Sequence, residues 1–260
     1  FTDGESAKMR VLVVAARRDS VENLLATVRK AGLVPELVDL SAFAMVRALY
    51  VPAPVARPGG SDGEGASGEG ASGEGDGARA AGAAGGEAGL ATLYCYVGGV
   101  TNLAIAVGTT CAFNRVLPNG VESMAATLAE RGGLTLEHAR QWLQHVGLER
   151  DTEGMEGEAK ILDQARQVLQ RGSARIADDV RLSMEYYQSA VPDARRVEQV
   201  IVAGPGIAIE GLPAVLEAEL GLAVEPRSLG QVEVIPGVLD GVEGSELTIA
   251  TGLALDEVKA

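Results

Sequence analysis

The chain has 260 residues, of which 47% are hydrophobic and only 3% aromatic, so any sizeable core must be built from Ala, Val, Leu and Ile. A formal net charge of −14 repels phosphate backbones and argues against nucleic-acid binding and against adhesion to anionic lipid. The longest apolar runs, such as 11–16, fall well short of the roughly 18 residues that a membrane-spanning helix needs, so no direct membrane insertion is expected.

Three parts follow one another. In residues 1–52, Arg10 to Ala16 (RVLVVAA) reads as a buried strand. Asp19 or Ser20 can cap a helix from Val21 to Ala31, with Val21, Leu24, Leu25 and Val28 on one face and Gly32 closing it. Leu37, Val38 and Leu40 read as a second strand. Ser41 then opens a helix to Leu49 that Pro52 and Pro54 stop. The order strand, helix, strand, helix is an α/β pattern. The chain begins at Phe1 without a Met, which raises the expectation of an upstream part.

Residues 59–89 hold 13 Gly, a short GEGAS repeat and no large apolar side chain. Such a stretch cannot bury enough surface to offset the entropy of ordering, so a disordered linker is expected over 53–89, with an end-to-end distance of roughly 30 Å. Its six acidic residues and one basic residue contribute −5 to the net charge.

From residue 90 the pattern is again α/β. Strands are expected over 93–97, 103–107 and 111–117. Helices follow over 122–130, 136–146 and 158–190, then a strand over 197–203, a tight Gly204-Pro205-Gly206 turn, and a helix over 212–220. Val224 falls in a last strand, and Ile249 to Val258 in a last helix. Cys95 and Cys111 lie in apolar strands with no CxxC spacing, which suits buried thiols rather than a metal site. His138 and His145 are seven residues apart, not the four of a helical zinc pair, and read as surface positions. Tyr186-Tyr187 reads as packing, and Arg17-Arg18 as a solvated helix entrance. There is no Ser-His-Asp order, GxSxG or P-loop lysine motif, so no catalytic residue is assigned.

Five stretches together resemble PilM, the actin-like protein of type IV pilus assembly, and more distantly FtsA. VLVVAARRDSVENLLATVRKAGLVPELVDLSAFAMVRAL (11–49) is similar to the end of the family's SHS2-type subdomain 1C and its joining helix. RVLPNGVESMAATLAERGGLTLEHARQWL (115–143) resembles the passage into subdomain 2B. RIADDVRLSMEYYQSA (175–190) resembles its acidic "RSLxYY" helix. VEQVIVAGPGIAIEGLPAVLEAELGLAVEP (197–226) resembles the adenosine-side strand, turn and helix, and LTIATGLAL (247–255) the closing helix.

The resemblance implies an α/β, actin-like (ribonuclease H-like) ATPase fold. The end of 1C would occupy 1–52 and subdomains 2A/2B would occupy 90–260, with the 2B insertion at about 131–194 and most of subdomain 1A lying outside the chain. It implies ATP and Mg2+ as cofactors, with Gly98, Gly99 and Thr101 at the second phosphate turn, Gly204 and Gly206 at the adenosine turn, and Asp179 near the ribose. Tyr96 stands where the family has an Asp, so ATP binding is expected more than hydrolysis. The implied role is a cytoplasmic scaffold at the inner face of the cell membrane. Its partner would be the cytoplasmic tail of a PilN-like inner-membrane protein, with pilus motor or platform proteins and self-association as further possibilities. Two alternatives stay open: a pseudo-ATPase scaffold without nucleotide, and a sugar-kinase-like phosphotransferase of the same superfamily. Read without the family, GGVTN is an ordinary hairpin turn, Gly204 and Gly206 serve helix–strand packing, and Asp178-Asp179 is a solvated helix face.

Overall fold

The computed structural model describes residues 2–3, 6–7, 11–52, 90–151, 154–155, 157–229 and 244–255. The expected linker lies outside them. Two short strands, β1 (Thr2–Asp3) and β2 (Ser6–Ala7), pair with each other. Helix α1 (Arg18–Lys30) and helix α2 (Ser41–Leu49) follow.

The centre of the molecule is a five-stranded sheet of order β5-β4-β3-β6-β7. Its strands are β3 (Ala91–Val97), β4 (Thr101–Val107), β5 (Thr110–Leu117), β6 (Val197–Ala203) and β7 (Ala223–Pro226). β3, β4 and β5 form an antiparallel meander, while β6 pairs parallel to both β3 and β7. Alternation along the strands assigns the two faces. Leu93, Cys95, Val97, Leu103, Ile105, Val200 and Val202 point into the larger core under the helices α3 (Val121–Gly132), α5 (Ala159–Ala190) and α6 (Leu212–Leu220). Tyr94, Ala104, Ala106, Ile201 and Ala203 point the other way, onto α2. The short helix α7 (Thr248–Ala254) packs against α2.

Small residues set that second layer. A Cβ on Gly252 would lie 1.8 Å from the carbonyl oxygen of Ala44, so α7 meets α2 backbone to backbone. The Arg47 Nε donates to the Gly252 carbonyl at 2.9 Å, and its guanidinium also pairs with Asp39. From the sheet edge, Arg227 donates to the Leu49 carbonyl at 2.8 Å.

Helices α3, α5 and α4 (Leu136–Val146) form a three-helix group beyond the sheet. Gly133 takes a left-handed conformation to end α3, and Thr135 caps α4 by accepting from the His138 amide at 3.2 Å. α5 runs 32 residues without interruption, about 48 Å at 1.5 Å per residue.

Residues 11–52 depart from expectation at two points. Residues 11–16 and 37–40 are not strands. Val11, Val13, Val34 and Leu37 are all more than half exposed. A strand needs a neighbour to satisfy its backbone groups, and among the described residues neither segment has one. α1 begins at Arg18, three residues before the expected start, and buries nothing. Gly32 does end it, at φ +79°.

Candidate functional site

The parallel pairing of β3 with β6 brings two glycine turns side by side. Tyr96 pairs with Ala203, so residues 98–100 and 204–206 emerge together at the carboxyl ends of neighbouring parallel strands. In open α/β sheets this is the edge where ligands bind. A third turn, Asn119-Gly120, closes against the first. A Cβ on Gly120 would meet the Gly98 carbonyl oxygen at 2.4 Å, and the Val121 amide donates to that same oxygen at 2.8 Å.

The side chains divide between those that build the turns and those that are free. Thr101 is fully buried, and its hydroxyl donates to the Asn119 carbonyl at 2.7 Å. Asn119 in turn donates through Nδ2 to Asp179 Oδ2 at 2.6 Å. Asp179 therefore stands behind the third turn as a brace. The Gly98 amide is used inside its own turn, donating to the Val100 carbonyl at 3.1 Å. Gly99 and Val100 are exposed, and a Cβ on Gly99 would meet nothing nearer than Glu122 at 3.8 Å.

On the second turn, Gly204 has φ +90°, which favours glycine. A Cβ there would lie 2.9 Å from the Val97 oxygen, and one on Gly206 would lie 2.6 Å from Val97 Cγ1. Packing against β3 therefore requires both glycines, independently of any ligand. Pro205 starts a single 3-10 turn, Pro205–Ala208, and Gly211 leads into α6. Glu210 ties this region to the end of α4. Its carbonyl accepts from the Leu148 amide at 2.7 Å, and its carboxylate pairs with Arg150.

Tyr96 lies between the two glycine turns, with ring carbons 2.6 Å from a Cβ built on Gly98 and 3.0 Å from one on Gly204. Its hydroxyl donates weakly to the Glu246 carbonyl at 3.4 Å. Burial, with a smaller contribution from the Glu246 charge, raises its pKa, so the phenol stays protonated and neutral near pH 7. Among the described residues, no group of three His, Cys, Asp or Glu side chains converges to hold a metal ion.

The sequence reading brought Gly98, Gly99, Thr101, Gly204 and Gly206 to one edge, and the structure places them there. It missed Asn119, whose only signal was the Pro118-Asn119-Gly120 turn, and Glu246. The bracing of Asp179 by Asn119 joins residues 60 positions apart, which no local pattern reveals.

Comparison with known proteins gives the setting. The chain superposes on MreB5 of Spiroplasma citri bound to ADP, with a TM-score of 0.54, 12% identity, and coverage of 92% of this chain and 65% of that one. The AMPPNP-bound form of that protein gives the same TM-score of 0.54. These likenesses, with the sheet order and the paired glycine turns, define an actin-like fold. Residues 2–56 match the family model described as Type IV pilus assembly protein PilM. A structure described as a PilM-PilN type IV pilus biogenesis complex superposes with a TM-score of 0.60 and 21% identity over 92% of this chain. Residues 2–56 are thus similar to the PilM family and the chain shares the actin-like fold, spanning 58% of the length of that solved PilM-PilN chain. No curated protein sequence matches it significantly. Among the described residues no helix is long and apolar enough to cross a membrane.

Proposed function

We propose that the chain belongs to a cytoplasmic scaffold of type IV pilus assembly, which binds ATP at the β3–β6 edge and a PilN-like tail elsewhere on its surface. The observation that carries the nucleotide reading is the pairing of two glycine turns at the carboxyl ends of adjacent parallel strands, in a fold shared with a protein solved with ADP and with AMPPNP. ATP would supply the charge and the γ-phosphate that lock two halves of such a fold together. On this chain the phosphate contacts fall to Gly99 and Val100, whose backbone is exposed and uncrowded. Thr101 and Asp179 hold the turns in place rather than touching the ligand, because each is already hydrogen-bonded within the protein. Gly204 and Gly206 let the second turn close on β3.

Tyr96 favours binding without turnover. Its neutral phenol stands at the end of β3, where the resemblance implies a carboxylate to organise Mg2+ and water, and a phenol supplies neither the charge nor the geometry. The partner reading rests on the likeness to the solved PilM-PilN complex and on the family match at residues 2–56.

The test is calorimetric titration of the chain with Mg·ATP, beside a Gly99→Glu variant. Gly99 is the right position because its φ is ordinary and the space around it is open, so folding is preserved while a carboxylate meets the phosphates. Binding lost in Gly99→Glu at unchanged melting temperature supports the reading. Equal heats for both chains, or no heat from either at millimolar ATP, reject it and favour a scaffold that works without nucleotide.

A further inference from the structure

A second feature runs from the Asn119-Gly120 turn along the outer seam between α3 and α5. There a groove of about 260 Å³ is lined by Asn119, Ser123 and Thr127 from the α3 side and by Arg131, Arg171 and Arg175. Met124, Val168 and Ile176 form its floor, and Gly172 makes the seam close: a Cβ there would lie 2.2 Å from the Met124 sulfur.

Three facts set it apart from the rest of the surface. The protein carries a net charge of −14, yet no carboxylate lines this groove. Five arginines elsewhere are engaged. Arg47, Arg140, Arg150, Arg181 and Arg227 each pair with an Asp or Glu. Arg131, Arg171 and Arg175 are exposed and make no hydrogen bond or ion pair among the described residues. The polar groups around them are committed: Ser123 to the Gly120 backbone, Thr127 to the Ser123 carbonyl, and Asn119 to Asp179 at one end. The guanidiniums are left as the uncommitted donors.

We propose that this groove docks an extended acidic segment of a partner protein, with carboxylates at alternating residues. Shape and spacing favour that class over a single phosphate. From Asn119 to Arg131 the groove follows α3 for about 18 Å. Arg171 and Arg175 are one helical turn apart, about 6 Å, which matches the 6–7 Å between alternate side chains of an extended strand. The residue between two such carboxylates rests on the floor of Met124, Val168 and Ile176, which suits a small apolar side chain. The chain carries the same acid spacing in its own Glu74-Gly75-Asp76, so occupation in cis is the competing explanation that the test must separate.

The probe is a fluorescein-labelled Asp-Ala-Asp-Ala-Asp peptide, titrated with the full chain at low salt and followed by anisotropy. The expected result is saturable binding that weakens steadily with added salt. It should fall about tenfold in an Arg171→Glu/Arg175→Glu double variant and less, but measurably, in Arg131→Glu on the other helix. Arg29→Glu on α1 should leave it unchanged, and the Asn-Ala-Asn-Ala-Asn peptide should not bind. Because all three arginines are exposed, melting temperatures should stay level across the set. Absence of binding, or binding equal in every variant, overturns the proposal. So does binding that emerges only after Glu74→Gln/Asp76→Asn, which would mean that the groove serves the chain's own acidic segment.

Discussion

Two helices of the N-terminal stretch invite comparison. α1 and α2 are both short, both amphipathic, and separated by only ten residues, yet α1 buries nothing while α2 buries Ala42, Ala44, Met45, Val46, Ala48 and Leu49. The difference lies in what each meets. α2 lies on the sheet beside Tyr94, Ala104 and Ile201, is crossed by α7 at Gly252, and is tied down by Arg47 and Arg227. α1 lies between two apolar segments that pair with nothing among the described residues. Periodicity states that a helix has an apolar face; only the fold supplies the partner that makes the face contribute to stability.

The comparison breaks most sharply at the helix crossing. Gly252→Val drives a side chain into the Ala44 backbone, which cannot yield as a flexible side chain can. It should destabilise the chain by about 3 kcal/mol or more, read as the midpoint of urea unfolding. Next comes Arg47→Ala. It leaves Asp39, only 16% exposed, without its guanidinium and frees the Gly252 carbonyl, for a loss of about 2 kcal/mol. Thr101→Val removes a buried bond to the Asn119 carbonyl and should cost about 1–2 kcal/mol by the same measurement. Thr101→Val also loosens the turn at 119–120, visible as faster amide exchange there.

The core and the N-terminal stretch should also differ in chemistry. Burial pushes the Cys95 thiol up to about 12 from an ordinary 9.0. The folded chain therefore holds that proton more tightly than the unfolded one. The resulting stabilisation is complete below about pH 9 and is lost as pH rises from there towards about 12. At about pH 8 a thiol reagent should label Cys95 only after denaturation. The smallest effect belongs to α1: Leu24→Ser, on a residue 59% exposed, should change stability by less than about 0.5 kcal/mol.

How much of this was legible beforehand follows the same division. The helices at 136–146 and 212–220 and the strand at 197–203 are bounded by Thr135, Gly147, Gly211, Gly221 and Gly204, and such local stops are readable residue by residue. The strands expected at 11–16 and 37–40 failed because pairing is a property of neighbours, which a local pattern of Val and Leu does not supply. At the site, the glycines were legible as turns. The fates of Thr101 and Asp179 were not, because both are decided by Asn119, which lies 18 and 60 residues away from them.

The central claim is that the paired turns at the β3–β6 edge hold a nucleotide. Amide hydrogen exchange of the chain with and without saturating Mg·ATP tests it most directly. The account predicts slower exchange at 98–101 and 204–208, with 11–38 unchanged. No slowing at either turn, or slowing confined to other parts of the chain, would contradict it.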